Sequence, residues 1–332
     1  MKTFKEIFNY QGPLLIDGAI GSNLMARGLE PGQAPEELLF SSPETLKSLH
    51  RDFIASGSDI VLTNSFGGNA RRLRLHGLQD SVAQVNSVAA KLARDAAEEI
   101  GKPSTLVAGS MGPTGDLLEP LGTLSISEAV NIFSDQAKGL ADGGADLIWI
   151  ETLAAKNEIL AAVEGASIAN LPIALTLSFD SAGKTMMGIS PADFAALADD
   201  LPIAAYGANC GAGLSDISIV MVEMAEARNS TKALISKGNA GIPKFENGAI
   251  RYDGTPILMG AYANLMQSVG VDLIGGCCGT TPRHIKAMRA ALNGPNPINE
   301  PKLDRKDIEL LLGASNIKEA PVRERRSRRR AA

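Results

Sequence analysis

The sequence predicts a (β/α)8 TIM barrel, and three observations carry that prediction. Eight short apolar runs alternate with eight amphipathic stretches of helical length, the strand–helix count of such a barrel. Polar, Gly-rich punctuation falls repeatedly just after the runs, at the strand ends that a barrel gathers on its C-terminal face. The 332 residues, 45% hydrophobic and 21% charged, are enough chain for one large core. A doubly wound open sheet alternates in the same way; the count of eight and the repeated punctuation favour the barrel.

The expected strands are Leu14-Leu15-Ile16, Asp59-Ile60-Val61-Leu62, Leu106-Val107-Ala108, Leu147-Ile148-Trp149-Ile150, Ile173-Ala174-Leu175-Thr176-Leu177, Ile203-Ala204-Ala205, Ala233-Leu234-Ile235 and Val271-Asp272-Leu273-Ile274. Short β-branched runs of this kind suit buried parallel strands. Helical periodicity fills the gaps over about Pro43–Ser56, Val82–Ile100, Ser127–Asp142, Lys156–Ala169, Pro191–Asp199, Asp216–Asn229, Pro256–Val269 and Pro282–Leu292. Start signals support several of these: the Ser-x-x-Glu pattern from Ser41 to Glu44, and prolines at 43, 191 and 282.

The barrel is expected over residues 1–293. Beyond it, 294–332 is rich in proline and charge and ends in the basic run Arg323–Arg330, expected as a disordered or loosely docked tail. The formal net charge of −5 gives the body no electrostatic footprint for nucleic acid. No apolar stretch approaches the roughly 18 residues of a membrane span. Met1–Gln11 mixes Lys and Glu with aromatics and lacks a signal-peptide core. The expected setting is the cytoplasm, and the oligomeric state is left open.

Three cysteines, two of them adjacent, make a poor disulfide framework. Cys210 follows the sixth run; Cys277 and Cys278 follow the eighth. In a closed barrel only the seventh strand separates these ends, so the three sulfurs can meet on one face. Adjacent cysteines on a straight strand point to opposite faces, but Gly275, Gly276 and Gly279 permit a sharp bend. Three thiolates with an open fourth position is the pattern of catalytic zinc rather than of a closed structural site. A thiol substrate completes such a tetrahedron and loses its proton at neutral pH. Read on spacing alone, this stands level with three ordinary buried cysteines.

The decisive markers are Leu15-Ile16-Asp17-Gly18-Ala19-Ile20-Gly21, Thr63-Asn64-Ser65-Phe66, Gly112-Pro113-Thr114-Gly115, Ile150-Glu151-Thr152, Gly207-Ala208-Asn209-Cys210 and Gly275-Gly276-Cys277-Cys278-Gly279-Thr280-Thr281-Pro282. Over about residues 12–292 the chain resembles the homocysteine S-methyltransferases. The resemblance implies a barrel with Zn2+ on Cys210, Cys277 and Cys278. It implies that Asp17, Gly18, Ala19 and Glu151 hold the amino-acid end of homocysteine. A carboxylate suits an α-ammonium, and Gly-rich backbone presents N–H groups to a carboxylate. Asn64, Ser110 and Asn209 are expected to line or brace the pocket. Asn239 is equally a bracing group or a plain turn residue. His50, His76 and His284 are read as structural.

The methyl donor is a finer question. The stretch Ser178–Gly188 and the Arg-rich end resemble bacterial betaine–homocysteine methyltransferases, so glycine betaine is the first expectation. Against it, animal betaine enzymes hold the trimethylammonium with Trp and Tyr, as cation–π binding requires, whereas this chain is 4% aromatic with one tryptophan, Trp149, read as core. Phe66 offers a ring face, and Tyr206 is a weaker candidate. The Gly112–Gly115 and Asn239-Ala240-Gly241 segments also resemble the homocysteine module of cobalamin-dependent methionine synthase. A separate methyl-corrinoid protein is therefore the second donor, and a sulfonium such as S-methylmethionine or S-adenosylmethionine the third. The non-enzyme rival is a structural zinc with a partner-recruiting tail.

Overall fold

The computed structural model describes residues 4–246, 249–298 and 304–317. Its strands are β1 (Leu14–Leu15), β2 (Ile60–Leu62), β3 (Leu106–Met111), β4 (Leu147–Leu153), β5 (Ile173–Leu177), β6 (Ala205–Cys210), β7 (Ala233–Gly238), the hairpin β8 (Pro243–Glu246) and β9 (Ala249–Tyr252), and β10 (Leu273–Gly276). Eight of them form one parallel sheet in the order β1-β10-β7-β6-β5-β4-β3-β2. The sheet closes on itself where Ile16 bridges Ile60, with Asp17 N donating to Ile60 O at 3.0 Å and Asp59 N to Leu15 O at 2.7 Å. The architecture is the (β/α)8 barrel.

The outer ring is α1 (Pro43–Ala55), α2 (Val82–Glu99), α3 (Ile126–Asp142), α4 (Lys156–Ala166), α5 (Pro191–Asp200), α6 (Leu214–Ala227), α7 (Pro256–Val269) and α8 (Pro282–Asn293). Prolines 43, 191 and 282 each open a helix, where a missing N–H costs nothing. Ser190 and Asp193 form a reciprocal cap on α5. The Ser41–Glu44 expectation is corrected: the cap position is Ser42, and Ser41 ends the short helix Leu38–Ser41, its hydroxyl donating back to Glu37 O at 3.0 Å.

The period-2 alternation of strands sorts their residues into two cores. Outward residues pack under the helices in one continuous cluster. Inward residues fill the barrel: Ile16, Ile60, Leu62, Ala108, Trp149, Ala174 and Ile235, with Phe4 packed among them from the N-terminal segment. One step further along three of these strands the inward side chains turn polar. Ala108 is followed by Ser110, Trp149 by Glu151 and Ile235 by Lys237, all buried. The barrel is thus apolar below and polar at its C-terminal mouth.

Three expectations change. The apolar run Ile203–Ala205 predicts the sixth strand, but β6 begins at Ala205 and runs through Gly207-Ala208-Asn209 to Cys210. Gly207 there is a packing glycine, since a Cβ would collide with the Ile235 carbonyl of β7. The β8–β9 hairpin was not foreseen. The expected loose tail is replaced, over 304–317, by a docked helix α9 (Arg305–Leu312). Ile308 and Leu312 are buried in the main core, and Asn316 N donates to Asp216 Oδ1 at 2.8 Å. The Arg-rich run lies outside the described residues. Among those residues no helix is long and apolar enough to cross a membrane.

Candidate functional site

The polar rim of the barrel opens into a cavity of about 350 Å³, lined at its inner end by Gly18, Ala19, Ser110, Glu151, Lys237 and the three cysteines. The Cys210, Cys277 and Cys278 sulfurs all lie within 4.8 Å of one another. Cys210 and Cys277 are 2.9 Å apart.

The backbone explains how adjacent cysteines converge. Cys210 closes β6 opposite Gly238 of β7 and adopts φ +59°, a strained value for a residue with a Cβ. Cys277 N donates to Gly238 O at 2.8 Å. The chain then turns: Thr280 N donates to Cys277 O at 3.1 Å, and Gly279 takes φ +76°. A Cβ at Gly279 would also collide with the Tyr252 ring, so glycine both makes the bend and admits that ring. Asn239 ties the loops together, accepting from Cys278 N at 3.0 Å and donating to Gly211 O at 2.8 Å. Of the two readings left open for it, bracing is the one its contacts fit.

The thiols are electrostatically coupled. Hydrogen bonds from Cys210 and Cys277 pull Cys278 down to about 3, and Tyr252 adds to the effect. The Cys210–Cys277 bond lowers Cys277, but Cys278 and burial outweigh it and leave Cys277 raised to about 11. Cys210 is pushed well up, chiefly by its hydrogen bonds to the other two. Three cysteine sulfurs gathered within reach of one another are a donor set suited to a soft or borderline cation.

Beside the sulfurs stands a buried charged group. Glu151 Oε1 accepts from Ser110 Oγ at 2.5 Å. Asp17 is fully buried behind the cavity wall; its Oδ2 accepts from Leu62 N at 2.9 Å, while its Oδ1 has no partner. Lys237 Nζ lies 3.9 Å from Asp17 Oδ1, 4.0 Å from Glu151 Oε2 and 5.6 Å from the Trp149 ring centroid. Burial pushes Asp17 up to about 7 against the pull of Lys237, and raises Glu151 for the same reason. Burial alone would lower Lys237, but Glu151, Asp17 and the sulfurs together raise it.

The other expected residues fall at the rim. Asn209 accepts from Thr152 N at 3.0 Å and donates to Thr152 Oγ1 at 2.7 Å, which holds Thr152 at φ +66° directly after Glu151. Asn64 lines the cavity and donates to Pro35 O at 2.8 Å, fixing the turn that carries Glu36. Gly18 packs beneath Thr280, whose carbonyl accepts from Ala19 N at 3.1 Å. Phe66 borders the cavity. Tyr206 does not: it is buried outside the barrel wall with its ring edge-on to Phe194, because its parity on β6 points it toward the helices. His50 is core and His284 braces the α8 cap, while His76 is exposed and borders the outer cavity. Lys237, Tyr252 and Glu36 escaped the sequence reading.

The homocysteine S-methyltransferase family model matches residues 14–292. The methionine synthase of Mycobacterium tuberculosis is 31% identical over 293 residues, 83% of this chain and 24% of that protein. The methionine synthase of Mycobacterium leprae is 29% identical over 306 residues, 87% of this chain and 25% of that protein. The chain therefore spans about a quarter of the length of these curated relatives. The homocysteine methyltransferase MmuM of Escherichia coli, in its metallated form, superposes with a TM-score of 0.72 at 25% identity, covering 86% of this chain and 98% of that one. Its oxidized form gives 0.71 at 26% identity, covering 85% and 97%. A match over nearly the whole barrel, with the three cysteines gathered at its mouth, places this chain in the homocysteine S-methyltransferase family.

Proposed function

We propose that the protein transfers a methyl group to the sulfur of homocysteine, with Zn2+ held by Cys210, Cys277 and Cys278. The observation that carries this reading is the convergence of three thiol sulfurs within 4.8 Å at the inner end of the cavity. When bound, zinc supplies Lewis acidity that keeps a fourth, substrate sulfur deprotonated at neutral pH. The rest is done by the chain. Glu151, oriented by Ser110, takes the α-ammonium, with Asp17 adding negative charge from behind. The Gly18–Ala19 backbone faces the amino-acid end. Asn209 and Asn239 fix the loops that carry Glu151 and the cysteines. No general base is needed once the thiol is ionised. The sulfur lone pair forms the new S–CH3 bond as the bond from methyl to its donor breaks, and the cavity aligns the two.

Glycine betaine is the favoured donor, giving methionine and dimethylglycine. Its support is the resemblance of Ser178–Gly188 and a cavity wall that carries carboxylates at both ends, Glu151 inside and Glu36 at the mouth. Phe66 is the one carbocyclic aromatic among the described lining residues, so a trimethylammonium group would meet negative charge rather than an aromatic cage. The identity to methionine synthases supports a second donor, a separate methylated corrinoid protein. The test is methionine formation by zinc-loaded protein with homocysteine and betaine as the only other reactants. Joint appearance of methionine and dimethylglycine, abolished by Cys278→Ala, is the expected result. No methionine with betaine but methionine with a methylated corrinoid protein transfers the assignment to the second donor.

A further inference from the structure

Lys237 is the cation that the site's own chemistry leaves unexplained. It ends the inward row of β7, where it is 3% exposed and still borders the cavity. Its ammonium makes no hydrogen bond among the described residues. The nearest carboxylate oxygens stand at 3.9 and 4.0 Å, beyond hydrogen-bond reach. Asp17 Oδ1, the nearer of the two, is itself buried without a partner. A buried ammonium with unfilled donors beside a buried oxygen with no donor is a costly arrangement to leave empty. Trp149 beneath Lys237 offers only a ring face.

The fixed charges sharpen the point. Glu151 and Asp17 put two carboxylates at this end of the cavity, and Lys237 is the buried cation among the described lining residues; Arg72 and His76 lie exposed at the outer mouth. An amino-acid substrate brings an ammonium, which these anions welcome, and a carboxylate, which they repel. In an α-amino acid the ammonium nitrogen lies about 2.7 Å from the nearer carboxylate oxygen. Two partners of opposite charge about 4 Å apart can therefore hold both groups at once.

We propose that Lys237 adds a charged, specificity-setting contact to the α-carboxylate of the acceptor thiol beside the Gly18–Ala19 backbone, and that Lys237 with Glu151 forms a receptor for a zwitterionic amino acid. This rests on the proposed homocysteine reading and names which half of the substrate each charge takes. The prediction concerns discrimination among thiols, so it needs no methyl donor.

The test is calorimetric titration of the zinc-loaded protein with L-homocysteine, 3-aminopropane-1-thiol, which lacks the carboxylate, and 4-mercaptobutanoate, which lacks the ammonium. The wild-type protein is expected to prefer L-homocysteine over 3-aminopropane-1-thiol by about 30-fold, the scale of a hydrogen bond between charged groups. Lys237→Met should bring that ratio within about threefold while zinc content stays unchanged, and Lys237→Arg should restore part of it. The preference over 4-mercaptobutanoate should survive in Lys237→Met, because Glu151 is still present. Lys237→Gln, which keeps a polar group beside the two acids, carries the same test if Lys237→Met does not fold. A purely structural lysine would weaken all three thiols alike; an unchanged homocysteine to aminopropanethiol ratio overturns this inference and leaves the acceptor reading standing. Failure of the wild-type protein to bind any of the thiols overturns the acceptor reading and this inference with it.

Discussion

His50 shows how much one buried side chain can set. It lies on the inner face of α1, 1% exposed, with Nδ1 unpartnered, and burial lowers its pKa from 6.5 to about 4. Between those values the unfolded chain takes a proton that the folded chain refuses, so stability falls as pH drops through that window and is fully present above it. The shift corresponds to about 3 kcal/mol. His50→Leu removes the dependence: in urea melts at pH 7.5 and pH 4, the variant should lose about 3 kcal/mol less than the wild-type protein. Parallel losses in both would show that His50 takes up its proton alike in the folded and unfolded chains. The same scale decides what could be read in advance. The cysteines were legible because three rare residues stood just past predicted strands. Lys237 was not, since a lone lysine at a strand end reads as solvated; only the parity from Ile235, two residues earlier and inward-facing, marks it as buried.

At the level of elements, the eight strand–helix units were readable because each carries its own local signal: an apolar run, then a periodic stretch, often opened by proline. What escaped depends on distant partners. Gly207-Ala208-Asn209 looks like a turn until β7 lies alongside, where the glycine lets two strands pair closely. The β8–β9 hairpin is the exception: Asn247-Gly248 stands between its strands, a local hairpin signal, and the hairpin delivers Tyr252 to Cys278. Helix α9 sits in a charged stretch whose few apolar residues reach the core only by docking. Its start is capped by Asp304, which accepts from Asp307 N at 3.0 Å. Its end is latched by Asp216, in the first turn of α6, which accepts from Ser315 Oγ, from Asn316 N and from Asn316 Nδ2. Hydrogen bonds to a carboxylate are each worth about 1.5–3 kcal/mol. Asp216→Ala should therefore speed amide exchange across 305–317 by about 10-fold or more while the barrel amides keep their protection. Exchange unchanged in that segment would mean that Ile308 and Leu312 hold the helix unaided.

For the whole molecule, the division between an apolar lower barrel and a polar mouth determines what the metal does for folding. None of the three hydrophobic clusters among the described residues includes a cysteine, and the sulfurs converge through backbone hydrogen bonds and two asparagines. On the zinc reading proposed above, the fold is expected to present the metal site rather than depend on it, unlike small zinc domains whose folding free energy is their binding free energy. Zinc that binds only the folded state still stabilises it by mass action, by about 2.7 kcal/mol at a hundredfold excess over Kd. With about 2.1 cal/mol/K of unfolding entropy per residue, that moves the Tm of a 332-residue chain by about 4 °C. Chelation should lower Tm by that amount, leave far-UV circular dichroism at 25 °C unchanged and abolish methionine formation, with zinc restoring both Tm and activity. Loss of helical signal on chelation at 25 °C would make the metal structural and favour a partner-recruiting scaffold. A Tm indifferent to added zinc would remove the metal site from the proposal altogether. The expected pattern separates a folded barrel from a metal-dependent activity, and that is what three thiols on the rim of an otherwise complete core lead one to expect.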